Sequence, residues 1–201
     1  MSDEGRIADL IEDLEELDDD VRDAAKAELI EIGEPAIPQL VEALAHNLGD
    51  VVNQAAEVLA AIGEPAIPQL MEEMEIAERY HALAISSTLT CIGEPAIPAL
   101  VEALNKKLNE DFREYAVRSL SGMGVAAISA IPALIQALAD PAAEVRTYIA
   151  YAFAKMGEAA ADAVPALIKA LEDDSESVQH HAALALDKIG TPEAQEALRA
   201  L

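Results

Sequence analysis

A nine-residue motif that recurs every 30 residues constrains the fold more than any other feature of the chain. The motif, Ile-Gly-Glu-Pro-Ala-Ile-Pro-Gln-Leu, begins at Ile32 and Ile62, and it returns at Ile92 with Ala99 in place of the glutamine. A period of this size is typical of arrays in which each repeat is a supersecondary unit that packs on its neighbours. We therefore expect stacked helical hairpins rather than a single globule.

Apolar columns on either side of the motif predict two helices in each repeat. The motif glycine has later counterparts, and the full column is Gly33, Gly63, Gly93, Gly124, Gly157 and Gly190. Four residues before each glycine stand Leu29, Leu59, Leu89, Leu120, Phe153 and Leu186, and twelve residues before it stand Val21, Val51, His81, Phe112, Val145 and Val178. Intervals that are multiples of three or four residues place these columns on one face of a first helix.

The second helix is marked by a proline and a leucine two residues later. The prolines are Pro38, Pro68, Pro98, Pro132 and Pro165. In the first three repeats the turn is Gly-Glu-Pro, where we expect the glycine to end the first helix in the left-handed conformation and the proline to enter the first turn of the next helix. Repeats four and five have three more residues between glycine and proline, which predicts a longer connection or an earlier helix start.

The same columns predict the ends and the boundaries of the array. A lone second-type helix over about residues 4–17 is expected to cap the N-terminal end, and Thr191–Leu201 is expected to form a short helix that caps the other end. The predicted repeats, which together form one domain over residues 1–201, are about 18–48, 49–76, 77–108, 109–139, 140–173 and 174–201. The run from Glu72 to Thr90 contains no glycine or proline, so the boundary between repeats two and three has no start signal.

These columns resemble HEAT repeats, and more narrowly the short bacterial HEAT-like repeats named after phycobilin lyases. The matching features are the starts at Asp20–Arg22 and Glu144–Arg146, the Ile-Gly pair, and the Ala-Ile-Pro-x-Leu second helix. The resemblance implies an all-α fold, a right-handed α-α superhelix of about six helical hairpins with an N-terminal capping helix. The start arginine is replaced by Val52, Ala82 and Gln179 in repeats two, three and six, so a ladder of Asp–Arg contacts is expected to be incomplete.

The net charge of −25 restricts the class of partner. Phosphate binding requires clustered lysine and arginine, so we expect neither nucleic acid nor an anionic membrane surface as a partner. The charge would steer a basic protein partner. Two other interpretations stay open, namely that the acidity only keeps the protein in solution or that it is an adaptation to a salty cytoplasm.

Targeting features and cysteine content favour a cytoplasmic protein. No stretch of eighteen apolar residues predicts a membrane span, and the first residues, Met-Ser-Asp-Glu-Gly, are acidic and do not resemble a secretory leader. The single cysteine, Cys91, cannot form an internal disulfide, which fits a reducing compartment.

The chain offers no recognisable constellation for catalysis, a cofactor or a metal ion. Cys91 occupies a position that also accepts Glu, Ala, Gly and Lys in other repeats, so we interpret it as half-exposed and incidental. His180 and His181 are adjacent and point about 100° apart on a helix, which does not suit chelation. His81 lies in a core column, and the run Asp18–Asp20 is interpreted as a helix N-cap rather than a calcium loop.

Two columns are candidates for partner binding. Four residues after the second-helix proline stand Glu42, Glu72, Glu102, Gln136 and Lys169, which predict a surface that is first acidic, then neutral, then basic. Nine residues before the glycine stand Tyr115 and Tyr148, with Tyr151 close by on the same helix as Tyr148. Tyrosine is favoured in interfaces, although this position also lies next to the core face, and both columns have an ordinary structural alternative.

The sequence therefore favours a non-catalytic scaffold that presents a curved acidic surface to a protein partner. A first alternative, implied by the resemblance alone, is a phycobilin lyase, or a subunit that detaches bilins or acts as a chaperone for phycobiliproteins. A second alternative is a consensus-derived or engineered array, because three turns are nearly identical. The sequence does not indicate an oligomeric state.

Overall fold

The computed structural model describes residues 3–45, 50–106 and 109–200, in which every regular element is helical. Two compact units are present, Met1–Ala96 (unit 1) and Ile97–Leu201 (unit 2). Unit 1 contains α1 (Asp3–Asp13), α2 (Asp19–Ile32), α3 (Ile37–Ala43), α4 (Asp50–Ile62), α5 (Ile67–Ile76) and α6 (Arg79–Ile92). Unit 2 contains α7 (Ile97–Ala103), α8 (Glu110–Met123), α9 (Ile131–Ala137), α10 (Ala143–Met156), α11 (Val164–Ala170), α12 (Glu176–Ile189) and α13 (Pro192–Arg199). The predicted all-α fold of consecutive helical hairpins is confirmed.

Each unit stacks its helices in the order of the repeats. In unit 1, α4 packs between α2 and α6, and α3 packs between α1 and α5. In unit 2, α10 packs between α8 and α12. The division between the units falls inside predicted repeat three, between α6 and α7, and the single domain over residues 1–201 stays a prediction. The right-handed sense of the superhelix also stays a prediction.

Most residues of the predicted core columns are buried, but His81 is partly exposed and Val21, at the N-terminal end, is exposed. Residues four before the glycine, such as Leu59 in unit 1 and Phe153 in unit 2, are fully buried. Val21 belongs to a core column but is 37 % exposed. The reason is its position, because α2 is the first helix of its kind in the chain and has no earlier counterpart to cover it. The core assignment of Val21 was therefore wrong, whereas its counterparts Val51 and Val145 are buried as expected.

The motif glycines end the first helices, but most do not adopt the expected left-handed helical conformation. Gly63 has φ 78° and ψ −131°, the mirror image of an extended residue, and only Gly190, with φ 68° and ψ 11°, is left-handed helical. The carbonyl of Gly63 accepts a hydrogen bond from Ala66 N at 3.0 Å and so starts a 3₁₀ turn, Glu64–Ala66. Gly190 instead precedes an extended N-cap, Thr191. The direction that each glycine carbonyl must take therefore sets its ψ.

The additional residues of repeats four and five lie in longer 3₁₀ segments. Three-residue segments join the helices of the first three repeats, whereas Gly124–Ala130 and Gly157–Ala163 have seven residues each. Each long segment is kinked, at Ala127 and at Ala160, where the ψ angles turn slightly positive. The prediction of a longer connection is confirmed.

The N-terminal cap helix is shorter than predicted. It ends at Asp13, and Leu14 and Glu15 continue in tighter turns whose amides donate to the carbonyls three residues earlier. A run of carboxylates at the C-terminal end of a helix opposes the helix dipole, which accounts for the early end. Asp18 then caps α2, since its side chain accepts a hydrogen bond from Asp20 N at 3.0 Å, as the sequence suggested.

Four polar residues of α6, namely Ser86, Ser87, Thr88 and Thr90, do not interrupt the helix. Thr88 and Thr90 donate their hydroxyl protons to the carbonyls of Ala84 and Ser86, both at 2.9 Å. Ser86 and Thr88 are buried, and the helix continues without a break to Ile92. Thr88 and Thr90 thus satisfy their own hydroxyl groups, and, apart from the exposed Ser87, this segment offers little surface to a partner.

Candidate protein-binding surfaces

The predicted column four residues after the second-helix proline lies on exposed faces of the second helices. Glu42 of α3 and Glu72 of α5 are exposed in unit 1, and Glu12 occupies the equivalent exposed position of α1. We call Glu12, Glu42 and Glu72 the acidic column. Neither Glu42 nor Glu72 forms an ion pair within the described ranges, so both carboxylates are available to a ligand. In unit 2 the predicted members Glu102, Gln136 and Lys169 are exposed as well.

Negative charge is concentrated in unit 1. Residues 1–96 contain 23 acidic and 4 basic residues, a net charge of −19, whereas residues 97–201 contain 15 and 9, a net charge of −6. Three of the four basic residues of unit 1 already contact carboxylates, Arg6 with Glu28 at 2.6 Å, Lys26 with Glu57 at 3.2 Å, and Arg22 with Asp19. The surface of unit 1 therefore carries a large uncompensated negative potential, which attracts cations from a distance.

Two buried Arg–Asp pairs join successive repeats in unit 2. Arg113 donates from Nε to Asp140 Oδ2 at 2.6 Å and from Nη2 to Oδ1 at 2.9 Å. Arg146 makes the same two-pronged contact with Asp173 at 2.8 and 2.7 Å. The side chains of Arg113 and Asp140 are only 3 % and 7 % exposed. The low exposure of these side chains gives both pairs a mainly structural role.

Each aspartate of this ladder also shapes its own loop. Asp140 Oδ1 accepts a hydrogen bond from Ala142 N at 2.8 Å, and Asp173 Oδ1 accepts one from Ser175 N at 2.9 Å. The Arg146 guanidinium holds the pKa of Asp173 below its ordinary value of 3.8, against the opposing effect of burial. The ladder is incomplete, as expected, since Gln179 replaces the arginine and donates instead to the Asp173 carbonyl at 2.6 Å.

The predicted tyrosines differ in their surroundings. Tyr115 is 7 % exposed, so its ring is packed inside unit 2 and presents little surface. Tyr148 and Tyr151 of α10 are partly exposed. The Arg118 guanidinium lies 4.6 Å from the centre of the Tyr148 ring and donates to its hydroxyl, and Lys155 Nζ lies 5.3 Å from the centre of the Tyr151 ring.

Two pockets of unit 2 share these tyrosines. A pocket of about 260 Å³ is lined by Arg118, Ser121, Gly122, Tyr148, Tyr151 and Lys155. A second pocket of about 340 Å³ is lined by Ala143, Glu144, Thr147, Tyr148, Tyr151, Ser175, Ser177 and His181. Sequence reasoning found the tyrosines but missed the two cations, which belong to other columns. The signal was present, because Arg118 precedes Tyr148 by 30 residues and so occupies a neighbouring place on the adjacent first helix.

The remaining candidates have ordinary roles. His81 has a side chain that is 11 % exposed and a ring nitrogen 3.2 Å from the Val41 carbonyl, which agrees with a histidine at the rim of the core. Cys91 is exposed. No group of three His, Cys, Asp or Glu residues that could hold a metal ion occurs in residues 3–45, 50–106 and 109–200, and the absence of a metal or cofactor stays a prediction.

One described segment, Glu110–Ala137, is long and apolar enough to cross a membrane by length and composition. In the structure it consists of α8, the kinked 3₁₀ segment and α9, and it includes the buried Arg113. Such a test is also passed by core helices of proteins that never enter a membrane. The expectation that the protein does not bind membranes stays a prediction.

The packed hairpins define an all-α solenoid of helical repeats. The model of the family described as HEAT repeats matches residues 97–162 and 131–201, which together span unit 2 and just over half of the chain. The chain therefore belongs to the HEAT-repeat family. Comparison with curated proteins gives no significant match.

Solved structures with a similar fold cover most of the chain. A designed armadillo repeat protein in complex with the peptide (KR)4 matches with a TM-score of 0.50 and 20 % identity over 91 % of this chain and 99 % of that chain. The CpcE–CpcF complex of phycocyanin lyase from Nostoc sp. PCC7120 matches with a TM-score of 0.57 and 20 % identity over 75 % and 98 %. A chain of the Kap95p–RanGDP structure matches with a TM-score of 0.53 and 14 % identity over 94 % and 31 %. At these identities the likeness shows the fold alone.

Proposed function

We propose that the protein is a non-catalytic cytoplasmic scaffold and that the acidic column of unit 1 binds a basic segment of a protein partner. The observation that carries the proposal is the pairing of a net charge of −19 in unit 1 with exposed carboxylates on three successive second helices, α1, α3 and α5. Carboxylates repeated at the spacing of packed helices would meet lysine or arginine side chains along an extended peptide.

The designed armadillo protein of similar fold was solved with an alternating lysine–arginine peptide, (KR)4, which makes that peptide a suitable probe. The phycobilin alternative stays a hypothesis, since the likeness to the CpcE–CpcF complex is limited to the fold. A visible absorbance band that stays with the protein after free bilin is removed by gel filtration would favour that alternative over the scaffold.

The proposal is tested by charge reversal of the acidic column. The triple variant Glu12→Lys, Glu42→Lys, Glu72→Lys should bind a fluorescent (KR)4 peptide at least about tenfold more weakly than the original chain, because like charges now face each other. Binding to the original chain should also weaken as salt is raised, and this dependence should flatten in the variant. Fluorescence anisotropy at several salt concentrations measures both effects.

A matched control distinguishes the effect of the acidic column on peptide affinity from the effect of net charge. Glu158→Lys, Asp162→Lys and Glu196→Lys reverse three exposed carboxylates of unit 2 and give the same net charge as the test variant. This control should lose less than about threefold in affinity, since distant exposed charges are screened. Equal losses in both variants would mean that the peptide responds to overall charge only, and the acidic column would then have no binding role.

A further inference from the structure

The two pockets that share Tyr148 and Tyr151 are cationic at one end and largely apolar at the other. The smaller pocket has Arg118 and Lys155 on its wall and no carboxylate among its lining residues. The larger pocket has more apolar than polar surface, and its aromatic lining residues are Tyr148, Tyr151 and His181. Both pockets lie on unit 2. Together they could hold the negatively charged group of a ligand in one pocket and an apolar group in the other.

Lys155 is the most available cation of the smaller pocket. It is exposed and forms no ion pair within the described residues. Arg118 is partly engaged, because Glu114 Oε1 lies 3.4 Å from its Nη1 and the Tyr148 ring stacks beneath its guanidinium. Two cations held beside aromatic faces, with hydroxyl groups from Ser121 and the tyrosines around them, suit an oxyanion that accepts several hydrogen bonds.

The neighbouring apolar pocket argues against a free inorganic ion. A pocket of about 340 Å³ has room for one side chain, and its aromatic walls are the usual contacts of a buried apolar anchor. Glu144 is the only carboxylate among its lining residues. The geometry therefore favours an anion that is attached to an apolar group.

The first-helix face of unit 1 lacks this arrangement. The positions equivalent to Arg118 are Ala27, Glu57 and Ser87, and those equivalent to Tyr148 are Ala24, Gln54 and Ala84. The one prominent cation there, Lys26, is already held by Glu57 at 3.2 Å and Asp23 at 3.3 Å. The cationic–aromatic pair of pockets is thus specific to unit 2 among the described first helices.

We propose that the two pockets around Tyr148 and Tyr151 form a second peptide site, which takes an acidic side chain against Arg118 and Lys155 and an adjacent apolar side chain in the larger pocket. The site has the opposite charge preference to the acidic column of unit 1 and does not depend on it.

The probe is the blocked peptide acetyl-Gly-Leu-Glu-Gly-amide, titrated into the full chain. Two matched peptides replace Glu by Gln or Leu by Gly, and inorganic phosphate serves as a free anion. The chain has four tyrosines and no tryptophan, so the aromatic NMR signals of Tyr148 and Tyr151 report the site with little overlap. We expect the Leu-Glu peptide to shift these signals. Each altered peptide should bind at least about fivefold more weakly than the Leu-Glu peptide.

The protein variants are Lys155→Gln and, as a control, Lys188→Gln. Lys188 holds the same place in the next repeat, two residues before Gly190, but lines neither pocket. Both lysines are exposed, so neither change should alter the fold. Lys155→Gln should weaken the Leu-Glu peptide about fivefold, and Lys188→Gln should leave its affinity unchanged.

Three results would overturn the proposal. The first is no shift of the Tyr148 and Tyr151 signals with the Leu-Glu peptide. The second is equal binding of that peptide to the Lys155→Gln and Lys188→Gln variants. The third is phosphate binding as tight as that of the peptide, which would mean that the apolar pocket contributes nothing to the affinity. None of these results bears on (KR)4 binding by unit 1, so the two proposals fail separately.

Discussion

The two units are built from the same kind of helical hairpin, but different interactions stabilise each of them internally. In unit 1, short 3₁₀ turns and apolar columns predominate, and its ion pairs are solvent-exposed contacts such as Arg22 with Asp19. In unit 2, longer 3₁₀ segments are accompanied by buried Arg–Asp pairs that run from one repeat to the next. One periodic core therefore accommodates a surface of net charge −19 in one region and a polar ladder in another.

The largest expected difference between the units is the cost of removing a start arginine. Arg113→Ala should destabilise unit 2 by about 3–5 kcal/mol, because it leaves the nearly buried Asp140 carboxylate without its partner. The equivalent change in unit 1, Arg22→Ala, should cost less than about 1 kcal/mol, since Asp19 is 82 % exposed and stays hydrated.

Native-state hydrogen exchange is the measurement that resolves this prediction, since it reports α8 and α10 separately from α2 and α4. A single denaturation midpoint would average over two units that need not unfold together. A loss below about 1 kcal/mol for Arg113→Ala, as small as that expected for Arg22→Ala, would show that the ladder adds little to the stability of unit 2 beyond the apolar columns.

A smaller difference is expected between the motif glycine of repeat two and the final glycine. Gly63→Ala should cost about 2–3 kcal/mol, because the mirror-extended region is accessible almost only to glycine. Gly190→Ala should cost about 1 kcal/mol, as usual for a left-handed residue with a side chain.

Steric contacts do not confound the glycine comparison. An added Cβ would lie 3.9 Å from the Ala60 carbonyl oxygen at Gly63 and 3.7 Å from the Asp187 carbonyl oxygen at Gly190, both ordinary distances. Hydrogen exchange at α4 for Gly63→Ala and at α12 for Gly190→Ala gives the two costs. An equal cost at both positions would contradict the role of ψ in these turns.

Periodicity made the fold predictable, and its limits explain what was missed. Leu59 and Phe153 could be placed in the core because a column repeated at helical spacing has only one face to bury. The same reasoning put Val21 in the core and failed there, since a column does not reveal where the stack begins. The glycine positions followed from sequence, but ψ depended on the hydrogen bond that each carbonyl makes after the turn.

The candidate sites were predictable only in part for a related reason. Spacing identifies the face on which Tyr115 and Tyr148 lie, yet it does not reveal how fully neighbouring side chains cover them, and Tyr115 proved buried. The Asp140 partner of Arg113 lies 27 residues further along, in a loop that no apolar column marks. Contacts between loops and between adjacent helices therefore needed the structure.

The smallest effect concerns the pH dependence of the ladder. The pKa of Asp173 is lowered in the folded chain, mainly by its hydrogen bonds from Arg146, so the unfolded chain binds the proton more readily. This carboxylate therefore contributes stability that is fully present above its unfolded pKa and is lost as the pH falls through the lower folded value. Asp173→Asn should cost about 1–2 kcal/mol near neutral pH, and its difference from the original chain should shrink progressively below about pH 4.

Urea unfolding followed between pH 7 and pH 3 for both chains measures this difference, and exchange at α12 assigns it to unit 2. Asp162→Asn is the matched control, because it removes an exposed carboxylate outside the ladder and should give a small difference that changes little with pH. The other carboxylates titrate in all three chains and cancel in the comparison. The loss of unfolding free energy in Asp173→Asn could instead be as large at pH 3 as at pH 7. The charge of Asp173 would then not stabilise the fold, and the electrostatic contrast between the two units would rest on Arg113 and Asp140 alone.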